Sequence, residues 1–157
     1  MSLAMLLPIM MVPPPVAGDD RTAILFAANE MLAAIASGKQ AEMQRTFAAD
    51  GTTYVLDLRG TEPSWRVRPN ADLVGEPDDT SGRRYAEKIG VPTVLQRGDL
   101  AQVWAPYVFS IDGKNSHCGI DNFTIVRREG KWMVANLSYT VEPLSACAGL
   151  HAPESTQ

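Results

Sequence analysis

The sequence predicts an α+β domain in which N-terminal helices pack on a strongly curved antiparallel sheet, forming a cone with a central pocket. Three observations predict it. Residues 19–39 carry one apolar stripe at helical spacing. The last third of the chain falls into three long strand-like runs separated by tight-turn signals. The helical pattern precedes the strands instead of alternating with them, which separates an α+β order from an α/β one. At 157 residues the chain can bury one hydrophobic core and is short for two. A net charge of -4 leaves no electrostatic footprint for nucleic acid, and the pairs Arg83-Arg84 and Arg127-Arg128 sit beside acidic residues as solvated loop charges.

The chain opens on "MSLAMLLPIMMV", followed by "PPPVAGDD", with no charged residue before Asp19. This apolar run is too short to span a bilayer but suits the core of a signal peptide, with a cut between Gly18 and Asp19. It lacks a basic start and Pro8 interrupts it, so a retained apolar leader is the alternative. Residues 1–18 are set apart as leader, 19–142 as the domain and 143–157 as a surface tail. The corresponding localisation is periplasmic or secreted, with cytoplasmic as the alternative. Cys118 and Cys147 suit either compartment; one disulfide is possible in an exported protein, but a domain of this size does not need it, and two unpaired, partly buried thiols are the first reading.

The first helix is "DDRTAILFAANEMLAAIASGK", capped by Asp19 or Asp20, striped by Ile24, Ala27, Ala28, Met31 and Ile35, and stopped by Gly38. A second, "KQAEMQRTFAAD", runs to Asp50-Gly51. Thr52 to Leu58 is rich in β-branched and aromatic residues and reads as a strand. Residues 59–98 are cut into short pieces by prolines and glycines. Within them "SWRVRP" suits a short edge strand and "RRYAEKI" one or two helical turns. The whole section is an insertion or lid, where Trp65, Arg66, Arg68 and Tyr85 could set specificity. From Asp99 three antiparallel strands follow, joined at Asp112-Gly113 and near Glu129-Gly130, until Pro143 ends the sheet.

The stretch "SHCGID", residues 116–121, joins a histidine, a cysteine and a carboxylate. On a strand His117 and Cys118 point to opposite faces, which excludes a local Cys–His dyad. His117 and Asp121 share a face but stand about 13 Å apart at ~3.3 Å per residue, too far for one hydrogen bond or one zinc. With His117 and His151 the only histidines and no clustered ligand spacing, no metal site and no cofactor are expected. What remains is a pocket wall of His117, Gly119, Asp121, Phe123 and Ile125, with Gly119 leaving room between imidazole and carboxylate. A two-residue turn at Asp112-Gly113 sets Trp104 opposite Asp121, whereas one bulge near Pro106 presents Tyr107 or Ala105. A three-residue loop at Arg128-Glu129-Gly130 sets Leu137 opposite Asp121, with Ala135 and Tyr139 on the same face.

The segments "AAIASGKQAEMQRTFAADGTTYV" and "GDLAQVWAPYVFSIDGKNSHCGIDNFTIVRREGKWMVANLSYT" resemble the nuclear-transport-factor-2-like superfamily, the cone fold shared with SnoaL-like and ketosteroid-isomerase-like proteins. The similarity is strongest to small bacterial members of uncharacterised function. By this resemblance Asp121 falls where the isomerase-like enzymes place an acid that donates to a developing oxyanion. Their general-base carboxylate falls near Val55 and their helical tyrosine near Met31, so ketosteroid isomerisation is not expected. The resemblance implies a small, mainly apolar ligand held in the cone without catalysis, and a homodimer formed through the sheet. The ligand-binding candidates are Tyr54, Trp104, Tyr107, His117, Asp121, Phe123, Leu137 and Tyr139. One alternative is a SnoaL-like cyclase, dehydratase or isomerase with Asp121 as acid or base, assisted by His117 or Tyr54. The other is a structural or dimerisation module whose cone is filled by its own side chains.

Overall fold

The computed structural model describes residues 20–154, so the expectations for the leader and for the last three residues lie outside the described residues. Helix α1 (Asp20–Ser37) buries Ile24, Ala27, Ala28, Met31, Leu32 and Ala34 along one side. Full burial of an Ile, Leu or Met side chain stabilises by roughly 1.5–3 kcal/mol, so this stripe holds the helix in place. Gly38 ends it in the left-handed conformation (φ 62°), its amide donating to the Ile35 carbonyl at 3.2 Å. Helix α2 (Gln40–Thr46) is shorter than its sequence suggests. Phe47 opens β1 (Phe47–Asp57) because its buried ring belongs to the sheet core and its backbone pairs with Val134. Helix propensity yields here to tertiary pairing.

Residues 59–98 are mostly ordered structure: β2 (Ser64–Pro69), α3 (Asn70–Gly75), β3 (Tyr85–Ile89) and β4 (Thr93–Arg97). "RRYAEKI" is therefore a strand and not a helical turn. Its helix formers are outweighed by backbone pairing to the top of β5 (Leu100–Ile111), with Glu87 opposite Phe109. β4 pairs the lower part of the same edge. β6 (Lys114–Arg128) and β7 (Lys131–Val141) complete a seven-stranded sheet in the order β2-β1-β7-β6-β5-β3, with β4 beside β5. The β1–β7 pair is parallel and the others antiparallel, so the sheet is mixed rather than wholly antiparallel. α1 lies across its concave side, where Ile24 and Met31 join Val103, Phe123, Ile125 and Val134 in one core.

Registers around the centre rest on two single-residue irregularities. The Asp112-Gly113 turn is the expected two-residue hairpin, with φ 53° and 80°. Ser116 then bulges between the pairs Ser110–Asn115 and Phe109–His117. That extra residue flips the facing of β5, so Ala105 stands opposite Asp121 and Tyr107 opposite Gly119. The second turn is also two-residue, not three: Arg128 pairs with Lys131, and Glu129 accepts φ 52° beside Gly130 at 79°. Ala135 bulges out of β7 between the partners of Thr124 and Ile125. Together these move the β7 register two positions, which keeps Leu137 and Tyr139 on the expected face but brings Tyr139, not Leu137, opposite Asp121.

Buried Asn70, at the start of α3, secures the β7 bulge. Its Nδ2 donates to the Ala135 carbonyl at 2.9 Å and the Ala48 carbonyl at 3.0 Å, and its Oδ1 accepts from Thr53 Oγ1 at 3.0 Å. At the other end of the sheet, Cys118 and Cys147 form a disulfide, contrary to the reading as free thiols. Reciprocal backbone hydrogen bonds between Cys118 and Glu142 extend the β6–β7 ladder one pair past Val141, at Cys118. The short 3-10 helix Leu144–Ala146 then delivers Cys147 to it. The two cysteines are 29 residues apart and meet through this return, which spacing does not disclose.

Candidate functional site

Alternation along β6 turns His117, Gly119, Asp121, Phe123 and Ile125 into the cone and Cys118 out of it. Asp121 is 2% exposed and lies between Ala105 on β5 and Tyr139 on β7. No amide, hydroxyl or cation among the described residues donates to its buried Oδ2. Its neighbour is instead another acid, Glu87 of β3, coupled to it by charge and a hydrogen bond between the carboxyls. Burial, the charge of Glu87 and that hydrogen bond, in this order, hold the Asp121 carboxyl well above the usual carboxylate range. Desolvation lifts Glu87 to about 7, opposed by the hydrogen bond from Asp121. Both carboxyls of the pair are therefore harder to ionise than free ones, and the pair titrates as a unit.

Rings surround the pair. Tyr85 stacks on Phe109 (6.0 Å between centroids) and Phe109 on His117 (5.0 Å), while Tyr107 meets His117 and Tyr139 edge-on at 5.8 and 6.4 Å. The Tyr107 hydroxyl is committed to the Thr140 carbonyl at 2.7 Å, and burial first, then the two acids, raise its pKa and keep it un-ionised. Tyr139 is raised chiefly by burial, opposed by Arg66 and Arg68. His117 is half-buried with Nδ1 3.1 Å from Ser116 Oγ; desolvation and then Arg59 keep it neutral against the pull of Asp57.

Above this ring wall opens a cavity of about 760 Å³ between the sheet, the ends of α1 and α2, and the segment 73–80. Tyr85, Phe109, Leu137 and Tyr139 line it, together with Phe47, Met43 and Ile35. The segment 73–80 is held to the helices by polar bonds: Asp79 N to Gly38 O at 2.8 Å, Gln40 N to Asp78 Oδ1 at 2.9 Å, Gln40 Nε2 to Gly75 O at 3.0 Å and Gln44 Nε2 to Val74 O at 3.2 Å.

Of the residues singled out in the sequence, Tyr107, His117, Asp121, Phe123, Leu137 and Tyr139 come together inside the cone. Leu137 and Tyr139 reach the open cavity, and Phe123 is fully buried in the core beneath. Tyr54 and Trp104 do not belong to this group. Tyr54 pairs with Ser138 and Val67, Trp104 pairs with Asn122, and both stand 42% and 53% exposed on the outer face. The Ser116 bulge is the reason for Trp104, and simple alternation from inward-facing Val55 and Thr53 is the reason for Tyr54. Gly119 does not make ligand space either, since a Cβ there would run into the Thr140 carbonyl. Glu87 was missed. The alternation of Tyr85, Glu87 and Ile89 between Gly82 and Gly90 is the signal that could have found it.

Among the described residues no group of three or more His, Cys, Asp or Glu is placed to hold a metal ion. No helix there is long and apolar enough to cross a membrane.

Comparisons with known proteins fit this geometry. No protein-family model and no curated protein matches the chain. Solved structures do. An NTF2-like protein from Cytophaga hutchinsonii superposes with a TM-score of 0.63 at 12% identity, over 79% of this chain and 99% of its own. One of unknown function from Methylobacillus flagellatus gives 0.54 at 22% identity, over 82% and 97%. Another, from Shewanella baltica, gives 0.57 at 17%, over 79% and 94%. The chain has the NTF2-like cone fold, an α+β architecture in which helices close one side of a curved, open sheet. That likeness defines a fold, and the fold alone does not specify a reaction.

Proposed function

We propose that the protein binds a small, mainly apolar molecule in its cone and does so without catalysis. The observation that carries this reading is the 760 Å³ cavity, walled by Met43, Phe47, Phe109, Leu137 and Tyr139, a size and lining typical of small-molecule sites. It also weighs against a purely structural cone filled by its own side chains. The test is a Leu73→Trp variant, which places an indole in the cavity from its partly exposed rim. Mass spectrometry of small molecules retained by native protein should find a ligand that this variant, with an unchanged circular-dichroism spectrum, fails to retain. Equal retention by both proteins refutes the reading.

A second reading, acid–base catalysis by Asp121, is favoured by one specific feature, its burial beside Glu87 with both carboxyls raised. A pair of buried, coupled carboxyls with raised pKa is a usable acid–base couple. Glu87 replaces His117 and Tyr54 as the partner in that reading.

The protein is further read as a homodimer formed through the outer face of the sheet. That face exposes Tyr54, Trp65, Val67, Leu95 and Trp104, more apolar surface than a monomer usually leaves in water. Export to the periplasm or beyond is supported by the Cys118–Cys147 disulfide, since such bonds persist in oxidising compartments.

A further inference from the structure

The outer side of the sheet is not bare along its whole length. On β5 the outward row is Gln102, Trp104, Pro106 and Val108; the first two are exposed, Pro106 is half-buried and Val108 is 4% exposed. Cys118, opposite Val108 on β6, is fully buried although it points away from the cone. The chain beyond β7 lies over this end. Its bond to Cys118 puts Cys147 on the outer side of β6. Its far end reaches Gly90, where a Cβ would stand 3.3 Å from the His151 carbonyl oxygen and 3.0 Å from Pro106 Cγ. Residues 143–152 thus form a strap that runs from the end of β7 across β6 and β5.

The strap is loosely seated. Pairing with the sheet stops at Glu142. The backbone hydrogen bonds beyond it all close within the strap: Ala146 donates to Pro143, Cys147 to Leu144, Leu150 to Ala146, His151 to Ala148 and Ala152 to Cys147. None of its residues is buried, and His151 holds a left-handed φ of 56°, which a non-glycine residue adopts at a cost. A segment with so few buried contacts opens at far lower free energy than the sheet beneath it. Against this stands one covalent tie, the Cys118–Cys147 bond. Its Cys147 end is partly exposed, so an attacking thiolate can reach that sulfur.

Independently of what the cone holds, we propose that this bond is a redox clasp. Its reduction frees residues 143–152 from the sheet while the cone stays folded, and bares Cys118, Val108 and Pro106 beside Trp104. A dithiol reductant does this by exchange. One thiolate attacks Cys147 Sγ and Cys118 Sγ leaves; the reductant's second thiol then displaces Cys147 Sγ. Two electrons and two protons end on the two cysteines, and the dithiol becomes a cyclic disulfide. The redox state then sets how much apolar surface the outer side of the sheet presents.

The test is hydrogen exchange of the full chain, read by mass spectrometry before and after reduction with dithiothreitol. Peptides covering 143–152 should be protected in the oxidised protein. On reduction their exchange should quicken at least about thirtyfold more than that of α1 and β1. Cys147→Ser removes the bond without any reductant. Its Cys118 should react with Ellman's reagent within about tenfold of the rate in the urea-unfolded chain, while the variant still melts cooperatively. Strap amides as protected after reduction as before, or unprotected in both states, overturn the clasp. So does an equal quickening of strap, α1 and β1, which makes the bond a prop of the whole fold. A Cys118 that stays unreactive in folded Cys147→Ser, or the loss of that variant's cooperative melt, also overturns it.

Discussion

Glu87 and Asp121 make the stability of this protein depend on pH in an unusual direction. Most carboxylates in folded proteins are held below their free values, and stability falls on acidification. Glu87 is instead raised from 4.5 to about 7, so between these values the native state binds more protons than the unfolded chain. Its contribution is fully present below 4.5 and is lost as pH rises through about 7; Asp121 acts in the same sense. Asp57 opposes them at low pH. Its carboxylate, held down to about 2 chiefly by the hydrogen bond from Arg59, contributes stability above 3.8 that is lost on acidification towards 2. Thermal melts should therefore be highest at mildly acidic pH and fall by at least about 5 °C towards pH 8. Glu87→Gln, which cannot ionise, should flatten that slope. His117, held below its free value by burial, acts in the opposite sense, so the comparison decides: equal slopes in the wild type and Glu87→Gln contradict a raised Glu87. The same pair shows what could be read beforehand: Asp121 was legible because strict alternation on a long strand fixes its face. Glu87 was not, because a strand of five residues carries too little periodicity to be separated from a helical turn.

The elements that hold the cone open depend on a few polar anchors. Asn70 joins α3, β1 and the β7 bulge through three hydrogen bonds and is fully buried. Asn70→Ala leaves the Ala48 and Ala135 carbonyls and the Thr53 hydroxyl without a partner and should cost about 2–4 kcal/mol in urea unfolding; a loss below about 1 kcal/mol would show that water replaces it. The long strands and α1 were visible in the sequence because their periodicity runs over ten residues or more. Their registers were not. Ser116 and Ala135 each insert one residue into a ladder, and no sequence signal marks them, since neither is glycine or proline. One such residue decided that Tyr107, and not Trp104, faces inward.

At the scale of the molecule, two surfaces outside the cone shape behaviour in solution. The Cys118–Cys147 bond closes a loop with a sequence separation of 29 residues. Chain-entropy arguments give such a closure about 3–4 kcal/mol, so the Cys118→Ser, Cys147→Ser double variant should lose about that much in denaturant unfolding. An unchanged midpoint would mean that the bond adds nothing to the fold. On the outer face of the sheet, Trp104→Glu puts a charge where a partner's sheet would pack. Light scattering should then report a monomer from a wild-type dimer, and a monomeric wild type at high concentration refutes the dimer. The mouth of the cone follows a different logic. Its segment 73–80 is tied to the helices by hydrogen bonds from Asp79, Gln40 and Gln44, while its one buried apolar side chain is Val74. Such bonds can be traded for water one at a time, whereas the sheet below can give way only as a whole. For the guest proposed above, entry and residence time would then be set by a polar latch whose opening leaves the apolar core intact, so that evolution could retune how fast it exchanges without touching the walls that select it.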